Sequence, residues 1–517
     1  MRLVFVSSRS CAVLLDEQGD YYTGNPYELT VNGQAVAHER QSVVSIYGLW
    51  PDTEYEIVCR AEGEAEQRLM FRTAAETCTF DVRRFGAKGD GVHEDTAALQ
   101  TAILCCPAGG RVLLPEGRYL TGPLFLKSHI TIEMKKGAEL RLTTDKSRFA
   151  VLPGMTRTTD EAGEVLLGSW EGNPLDTYAS ALTGIGVTDV KIIGEGVIDG
   201  CADQTDWWTK YHKIRKGPYR PRLFYLKDCE GISVQGVTFR NSPAWNLHPT
   251  FSKNLEFINV RVEAPAVSPN TDGFDPESCE HIRMYGTVFS VGDDCIALKA
   301  GKIYMGRTYK TPCSDIEIAW CLMKDGHGGV TVGSEMAGGV RDVRVHHCRM
   351  VGNDRGLRIK TRRGRGKDAV IDQIRFEDVK MIGVKAPLVV NAMYYCDPDG
   401  RTSYVQSREK QPVTDGTPTV GAIVYERVEA TDCQACAAYI LGLPERPVEE
   451  ITLRDCSFTF AAEPKPMVPA MADGVESCAA QGIIASYVHR LTLENVRMRG
   501  LKGERLVLNS VDTLNDD

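Results

Sequence analysis

The feature that most constrains this chain is a repeat of short segments in which apolar and polar residues alternate. Six of them begin at residues 229, 252, 279, 313, 340 and 371, and they read CEGISVQGVTF, SKNLEFINVRV, CEHIRMYGTVF, CSDIEIAWCLM, VRDVRVHHCRM and IDQIRFEDVKM. Each has an apolar residue at its fourth and sixth positions, and successive starts lie between 23 residues (229 to 252) and 34 residues (279 to 313) apart. Alternation predicts strands, and a period in this range is typical of a solenoid. Since one unit cannot bury its apolar face alone, the units are predicted to stack.

The repeat extends over most of the chain. Further segments that follow the same rule are SHITIEM at 128, VTDVKII at 187, VEEITLRDCSF at 448 and VHRLTLENVRM at 488. We therefore predict an all-β domain of stacked parallel strands over residues 77–517. The exception is GVHEDTAALQTAILCC at 91–106, whose apolar residues have helical spacing. This helix is predicted to cover the open N-terminal end of the stack.

Residues 1–76 follow a different pattern. They contain short alternating runs separated by turn residues, among them Asn32-Gly33, a typical hairpin turn. These runs predict a small β-sandwich. The piece LWPDTEYEIVCRA resembles a corner of the fibronectin type III domain, in which a Leu and a Tyr flank a turn. The sequence therefore predicts a fibronectin type III-like sandwich ahead of the solenoid.

Charge and cysteine usage restrict the partners and the compartment. The net charge is -9 at pH 7 and the pI is about 5.7, so nucleic acid is not expected as a partner. No run of about eighteen apolar residues occurs, and no membrane span is expected. The start, MRLVFVSSRSCAVLLDEQGDYY, is too polar for a secretory segment. The 17 cysteines lack the spacing of a disulfide framework, so we expect a cytoplasmic protein with reduced thiols. Cys433-x-x-Cys436 is interpreted as a packed pair, and the oligomeric state is left open.

Three carboxylates stand out because they lie among apolar residues. Asp272 belongs to the stretch SPNTDGFDP, and Asp293 and Asp294 belong to VGDDCIALK. A buried carboxylate is costly unless it is paired, hydrogen-bonded or used. Counted from the starts of their own repeat segments, these residues have similar offsets, and neighbouring strands lie about 4.8 Å apart. The three carboxylates are therefore predicted to meet across one or two strands.

The next two units carry complementary side chains at similar offsets. His327 lies in DGHGGVTVGSE and Arg358 lies in RIK, with Lys360 two residues further on. Residues at i and i+2 point to the same side of a strand. The sequence therefore predicts a cleft with carboxylates at one end, a histidine in the middle and a basic pair at the other end.

Taken together, SPNTDGFDP, GDDCIA, DGHGGVTVGSE and RIK resemble, in order and spacing, the four motifs of glycoside hydrolase family 28, the polygalacturonases. RRFGAKGDGVHEDTAALQTAI is similar to the start of their β-helix domain, and the resemblance covers about residues 78–510. It implies a right-handed parallel β-helix of the pectin-lyase-like type. It also implies hydrolysis of α-1,4-galacturonosidic bonds in pectic oligo- or polygalacturonate, with no cofactor.

The family motifs imply a role for each of the three acids. Asp293 corresponds to the general acid, and Asp272 and Asp294 correspond to the pair that holds the attacking water. An inverting glycosidase needs a protonated carboxyl and a carboxylate roughly 6.5–9.5 Å apart. Crowded acids repel, so one retains its proton near neutral pH while the others stay ionised. The alternative for such a cluster is a calcium site.

The resemblance also implies substrate contacts. His327 would hydrogen-bond the acid, and Arg358 and Lys360 would bind the carboxylate of a uronic acid. Tyr394 falls where the family has a tyrosine that contacts substrate, although Tyr395 is adjacent. Asn270 is a further candidate for binding the substrate, and a role in shaping the turn is its alternative. The alternative for His327 is a surface histidine, and the alternative for Arg358 and Lys360 is a solvated run of charges.

An insertion at residues 157–184 interrupts the solenoid and resembles in kind those of exo-acting bacterial members. It carries Arg157, Trp170 and Tyr178, which could hold a terminal sugar, and we predict that it closes one end of the cleft. The enzyme would then trim chain ends, and whether a mono- or a disaccharide leaves stays open. The alternatives are a hydrolase of rhamnogalacturonan or xylogalacturonan and a calcium-dependent pectate lyase.

Overall fold

The computed structural model describes residues 1–36, 40–157, 164–210 and 217–517. From residue 79 onward the chain forms a parallel β-helix whose successive coils contribute strands to three sheets. The first sheet contains, in order, Thr79–Asp81, Gly110–Leu114, Ile130–Met134, Thr188–Gly194, Glu230–Gln235, Lys253–Ile258, Glu280–Tyr285, Cys313–Ala319, Val340–His346, Val370–Glu377, Thr419–Val420, Ala422–Glu426, Val448–Arg454, Gln481–Glu494 and Leu506–Asp516. This architecture confirms the predicted all-β solenoid.

The other two sheets complete each coil. The second contains Asp90–Glu94, Gly117–Thr121, Ala138–Leu142, Val197–Asp199, Thr238–Arg240, Arg261–Glu263, Val288–Ser290, Leu322–Lys324, Arg349–Val351, Lys380–Ile382, Glu429–Cys433, Ser457–Phe460 and Arg497–Arg499. The third contains Leu124–Phe125, Leu182–Ile185, Phe224–Lys227, Leu247–Thr250, Ile296–Leu298, Gly328–Val332, Arg355–Lys360, Ala386–Asn391 and Cys436–Leu441. Phe274 bridges Leu247 to Ile296 in the third sheet. This third sheet carries the candidate site.

The strand register explains the repeat. The fourth positions of the repeat segments pair from coil to coil, and so do the sixth positions. Those columns consist of Ile232, Leu255, Ile282, Ile316, Val343 and Ile374, and of Val234, Phe257, Met284, Ile318, Val345 and Phe376; all twelve are buried. Parallel strands in register place equivalent residues directly above one another, so the apolar positions build one continuous core.

The N-terminal end of the stack is covered by a helix that is shorter than predicted. The helix spans Thr96–Cys105 and buries Leu99, Ala102 and Ile103 against the first coils. The preceding residues form the strand Asp90–Glu94, which pairs in parallel with Gly117–Thr121. Pairing with the next coil therefore determines their conformation more strongly than local helical spacing does. The remaining helices and 3₁₀ turns are Ile303–Tyr309, Ser403–Gln406, Val82–Phe85, Lys146–Arg148 and Ala202–Gln204.

In the described residues before position 77 (1–36 and 40–76), the chain forms seven strands in two antiparallel sheets. One sheet contains Arg2–Val6, Ser10–Leu14 and Val43–Tyr47, and the other contains Tyr27–Val31, Gln34–Ala35, Glu54–Ala61 and Gln67–Arg72. The backbone N–H of Trp50 donates a hydrogen bond to the Tyr55 hydroxyl at 2.8 Å, as in the tyrosine corners of β-sandwiches. The domain boundary at residue 76 and the fibronectin type III resemblance stay predictions.

The three-stranded N-terminal sheet packs directly on the first sheet of the solenoid. The shared apolar cluster contains Val4, Phe5, Ala12, Leu14 and Val43 from one side and Ile193, Ile258, Tyr285, Ala319 and Trp320 from the other. Gln235 donates a hydrogen bond to the carbonyl of Cys11 at 2.8 Å, and Asn259 donates one to the carbonyl of Val43 at 2.9 Å. The N-terminal unit therefore acts as a packing partner of the solenoid.

The structure also addresses the predictions about membrane spans and cysteines. In the four described ranges, no helix is both long enough and apolar enough to cross a membrane. The 17 cysteines are free thiols, and Cys433 and Cys436 are both buried.

Candidate active site

Three carboxyl groups meet at the edge of the third sheet. One oxygen from each of Asp272, Asp293 and Asp294 lies within 4.8 Å of the others. The two coils that carry them are held together by a hydrogen bond from the Gly273 N–H to the Asp294 carbonyl at 3.0 Å. A Cβ at Gly273 would lie 2.4 Å from the carbonyl oxygen of Cys295, so only glycine permits this approach. The predicted meeting of the three acids is therefore present in the structure.

Asp294 is the carboxylate with cationic partners. Its side chain is 1% exposed, and it lies 3.2 Å from Arg358 Nη1 and 2.7 Å from Lys360 Nζ. Burial favours the neutral form, but Lys360 and Arg358 outweigh burial and lower the pKa of Asp294 below its usual range. This contact corrects the predicted layout, in which the basic pair lay at the opposite end of the cleft. One strand, Gly328–Val332, lies between the coil of Asp294 and the strand that carries Arg358 and Lys360, and these two long side chains reach across it.

Asp272 has the opposite environment. The residue is 5% exposed, and burial raises its pKa well above the usual value. The neighbouring carboxyl groups of Asp275 and Asp293 raise it further, whereas Lys299 acts to lower it. Two carboxyl groups less than 5 Å from each other therefore have pKa values displaced in opposite directions, a pattern common in acid–base sites.

Asp293 faces the open side of the cluster. Its side chain is 24% exposed, and its Oδ1 lies 3.2 Å from Nδ1 of His327. The backbone N–H of His327 also donates to the Asp293 carbonyl at 3.0 Å. The hydrogen bond from the imidazole to Asp293 raises the pKa of His327, because it favours the charged ring. Gly326 precedes the histidine with φ of +76°, and a Cβ there would lie 2.5 Å from the Asp293 carbonyl oxygen.

The two remaining candidates also line the cleft. The ring of Tyr394 lies 5.7 Å from the guanidinium of Arg358 and 5.4 Å from the ammonium of Lys360. Tyr395 instead lies under Arg401 at 3.9 Å, so Tyr394 is the tyrosine that borders the site. Asn270 has φ of +54°, and its Oδ1 accepts a hydrogen bond from Arg220 at 2.8 Å. That bond uses the side-chain oxygen of Asn270 to shape the turn before Asp272.

The cleft around these side chains has a volume of about 290 Å³. Its lining includes several residues that the sequence analysis did not single out for the site: Glu171, Trp245, Lys299, Ser334, Glu335, Cys396, Asp397 and Met471. Lys299, Ser334 and Glu335 belong to motifs quoted above, and their polar side chains close to the predicted site residues were the available signal. Glu171, Trp245, Cys396, Asp397 and Met471 come from outside the quoted repeat segments, so the periodicity contained no information about them.

The insertion closes one side of the cleft through its hairpin Ser169–Trp170 and Asn173–Pro174. Trp170 is 7% exposed and stacks on Trp245, with ring centroids 4.5 Å apart. Glu171 lines the cleft, and its carboxylate lies 3.2 Å from Lys302 Nζ. Trp170 is therefore a packing residue and does not offer a free ring to a sugar.

Of the other two insertion residues predicted to hold a terminal sugar, only the side chain of Tyr178 is described. Tyr178 packs on Phe149 and Trp207 at 5.6 and 5.7 Å and does not line the cleft. The side chain of Arg157 lies outside the described residues. The further short strands of this region are Val151–Leu152, Thr156–Arg157, Glu164–Val165 and Thr177–Tyr178.

A C-terminal segment closes another side. Arg355 donates hydrogen bonds to the carbonyls of Pro469 at 3.1 Å and Val468 at 3.0 Å. The carbonyl of Met471 accepts a hydrogen bond from Asn391 at 3.1 Å, and its sulfur lies 3.3 Å from Arg358 Nη2. Segments from two distant parts of the chain therefore border the acid cluster.

A parallel β-helix with three convergent carboxyl groups, a histidine and a basic pair defines a carbohydrate-cleaving enzyme of the glycoside hydrolase class. Residues 121–473 match the family described as "Glycosyl hydrolases family 28", and residues 79–148 match "Rhamnogalacturonase A/epimerase, pectate lyase-like". The chain belongs to glycosyl hydrolase family 28. The predicted family, fold and enzyme class are thus confirmed, and the roles of the individual motif residues stay predictions.

Individual proteins show the same relationship. A "Probable polygalacturonase" from Vitis vinifera is 30% identical over 406 residues, covering 77% of this chain and 77% of the relative. A solved hyperthermoactive exopolygalacturonase from Thermotoga maritima is 25% identical with a TM-score of 0.66, covering 82% of this chain and 92% of that one. A family 28 exopolygalacturonase from Yersinia enterocolitica shares the fold over 100% of this chain and 98% of its own, with 17% identity and a TM-score of 0.72. Polygalacturonases named as endo-acting and as exo-acting both occur among the matches.

Proposed function

We propose that this protein hydrolyses α-1,4-galacturonosidic bonds of polygalacturonate from the chain end, with inversion at the anomeric carbon. The observation that carries the proposal is the acid cluster, in which Asp294 is held ionised by Arg358 and Lys360 while Asp293 faces the open cleft. The names of the family relatives supply the substrate class.

In the proposed reaction, Asp293 protonates the glycosidic oxygen as the bond to the leaving sugar breaks. Asp294, held ionised by its two cations, and Asp272, which acts in its ionised form and therefore only above its raised pKa, hold a water between them, and one of the two accepts its proton as the water attacks the anomeric carbon. His327 orients the acid through its hydrogen bond to Oδ1. Because three carboxyl groups meet, none of them is required to attack the sugar.

Because the separation of the two carboxyl groups differs between inverting and retaining enzymes, the anomeric configuration of the product tests the proposed mechanism. Inverting enzymes typically separate their two carboxyl groups by roughly 6.5–9.5 Å. Here the nearest oxygens of the three carboxyls lie within 4.8 Å, closer than the family mechanism led us to expect. Inversion is proposed because a pair of carboxylates can hold the water while the third serves as acid.

Recognition of a uronic acid rests on Arg358. Its Nη1 bonds to Asp294, whereas its Nη2 lies 3.3 Å from the thioether sulfur of Met471, a weak acceptor. Arg358 Nη2 is therefore available to a carboxylate of the substrate, which accepts a charge-assisted hydrogen bond better than sulfur does. Tyr394 and Lys360 border the same position.

The exo mode rests on the segments that border the cleft. A groove along a solenoid is open at both ends unless something blocks it, because every coil has a similar surface. Here Glu171 from the insertion and Met471 from the C-terminal segment both line a cleft of about 290 Å³. A cleft bounded in this way suits a chain end better than an internal stretch of polymer.

Incubation with defined oligogalacturonides tests the proposal. We expect steady release of one small product, slow loss of polymer viscosity and a newly formed reducing end of inverted configuration, followed by proton NMR. A ladder of oligomers at early times would contradict the exo mode alone. Products with an ultraviolet-absorbing double bond, whose formation stops when calcium is chelated, would indicate a lyase. Cleavage of rhamnogalacturonan or xylogalacturonan in place of polygalacturonate would assign a related pectic substrate.

A further inference from the structure

A buried lysine lies between the proposed water-binding acids and a second set of carboxyl groups. Nζ of Lys299 lies 3.3 Å from Asp275, 3.2 Å from Glu335 and 4.0 Å from Asp272. It also lies 4.5 Å from the ring centroid of Trp245, which forms a wall of the cleft. The side chain of Lys299 is only 4% exposed, so these neighbours rather than water determine its charge interactions.

The position of Lys299 matches that of Lys360. Leu298, Val332 and Ile359 pair in register along the third sheet, so Lys299 and Lys360 follow equivalent residues in strands two rungs apart. Lys360 lies 2.7 Å from Asp294, and Lys299 is the corresponding cation for Asp272. The difference is that Lys299 is shared with other carboxyl groups.

Asp275 is the competitor closest to the catalytic motif. It is fully buried, and neither carboxyl oxygen has a hydrogen-bond partner among the described residues. Burial raises the pKa of Asp275 to about 7, with Lys299 acting to lower it. Behind it lie buried Glu277, His248 and Arg222, with Glu277 bonded to His248 at 3.1 Å.

We propose that Lys299 is a positioning residue of this active site, which sets the proton affinity of Asp272, and that Asp275 limits its effect by sharing the same ammonium group. The inference rests on the function proposed above, in which Asp272 must be ionised to hold the water. The other charged groups around Asp272 are Asp293, Asp294 and, through Asp294, Arg358 and Lys360. Of the cations named here, Arg358 and Lys360 contact Asp294, and Lys299 lies against Asp272.

Two substitutions should move the pH profile in opposite directions. Lys299→Met removes a cation next to Asp272, which raises the pKa of that acid. Since Asp272 must be ionised, the acidic limb of kcat/KM should move to higher pH, by about one unit for a tenfold change in proton affinity. Asp275→Asn removes a carboxyl group that, at the pH values where it is ionised, both repels Asp272 and shares Lys299, so over that range the same limb should move to lower pH. Lys299→Arg should stay near the parent.

The control is Lys302→Met, an identical substitution at the rim of the same cleft. Lys302 pairs with Glu171 and Asp397 and is not in contact with Asp272. The acidic limb of the kcat/KM profile of Lys302→Met should stay at the parental pH, even if the absolute rate changes. An equal shift in Lys302→Met and Lys299→Met would overturn the proposal, as would unmoved limbs in both Lys299→Met and Asp275→Asn.

Circular dichroism and thermal melting establish whether each variant is folded. If Lys299→Met does not fold, Asp275→Asn decides alone: a limb at lower pH supports the proposal and an unmoved limb refutes it. The parent enzyme separates this inference from the proposed function. A parent that does not hydrolyse oligogalacturonides refutes the function, whereas an active parent with unmoved limbs refutes only the role of Lys299.

Discussion

At the scale of single residues, the site gives different pKa values to two carboxyl groups that the sequence alone does not distinguish. Asp272 and Asp294 are both buried carboxyl groups in adjacent coils. One has Arg358 and Lys360 as direct partners, and the other has a shared lysine at 4.0 Å. Burial favours the neutral form of both acids, and only at Asp294 do two close cations outweigh it, whereas neighbouring carboxyl groups raise the pKa of Asp272 further; the two pKa values are therefore displaced in opposite directions.

Asp293→Asn should abolish turnover while leaving the fold and substrate binding nearly intact. The amide has the shape of the acid but cannot donate the proton, and loss of a general acid costs about 10²-fold or more in kcat. Steady-state kinetics on a defined oligogalacturonide, with binding measured by calorimetry, check this expectation. A kcat within a few-fold of the parent would assign the proton to another group.

Arg358→Ala should raise KM and reduce the preference for uronic acid over neutral sugars. A hydrogen bond to a charged group contributes about 1.5–3 kcal/mol, which corresponds to roughly a 10–100-fold loss in kcat/KM. Arg358→Lys is the matched control, because it keeps a cation beside Asp294 and loses the planar fork. If the alanine variant bound oligogalacturonide as tightly as the parent, Arg358 would serve Asp294 only.

At the scale of elements, the hairpin of the insertion docks on the solenoid through its backbone. Lys302 N–H donates a hydrogen bond to the carbonyl of Gly172 at 2.8 Å. Gly172 has φ of +69°, and a Cβ there would lie 2.3 Å from the Lys302 nitrogen. Only glycine allows the hairpin to approach this closely. The position of Glu171 at the cleft therefore depends on the adjacent Gly172.

Gly172→Ala should displace the hairpin and convert part of the end-trimming into internal cleavage. The expected sign is a faster fall in viscosity for each reducing end released from polygalacturonate. Gly186→Ala is the matched control, since Gly186 has φ of +62° with no atom within 4 Å of an added Cβ. It introduces the same backbone strain away from any contact. Equal viscosity ratios for both variants and the parent would mean that the hairpin does not decide the mode of cleavage.

At the scale of the whole molecule, the N-terminal sandwich covers an apolar face of the solenoid. Its removal would leave Ile193, Ile258, Tyr285 and Trp320 without their partners. Each such side chain contributes about 1.5–3 kcal/mol when fully buried. The interface lies on the first sheet and on neighbouring strands of the second, where Tyr21 packs on Val288 and Leu322, whereas the acids lie at the edge of the third.

A chain of residues 77–517 should therefore melt at a lower temperature and aggregate more readily than the full chain. Its kcat per folded molecule should stay near the parental value, because the catalytic residues are retained. Calorimetry and active-site titration with a tight-binding oligosaccharide measure the two quantities separately. A large loss of kcat in the folded fraction would show that the sandwich also supports the site.

Much of the fold and of the acid cluster could be predicted from the sequence, because strand alternation and repeat offset are properties of the linear chain. The columns that contain Ile282 and Ile316 follow from period-two alternation. The meeting of Asp272 with Asp293 and Asp294 was predicted from similar offsets in stacked coils. The tertiary structure alone decided which cation lies against which acid, that Trp170 is buried, and that Glu171 and Met471 border the cleft. These contacts join segments far apart in the chain, through side chains and insertions whose directions no repeat pattern specifies.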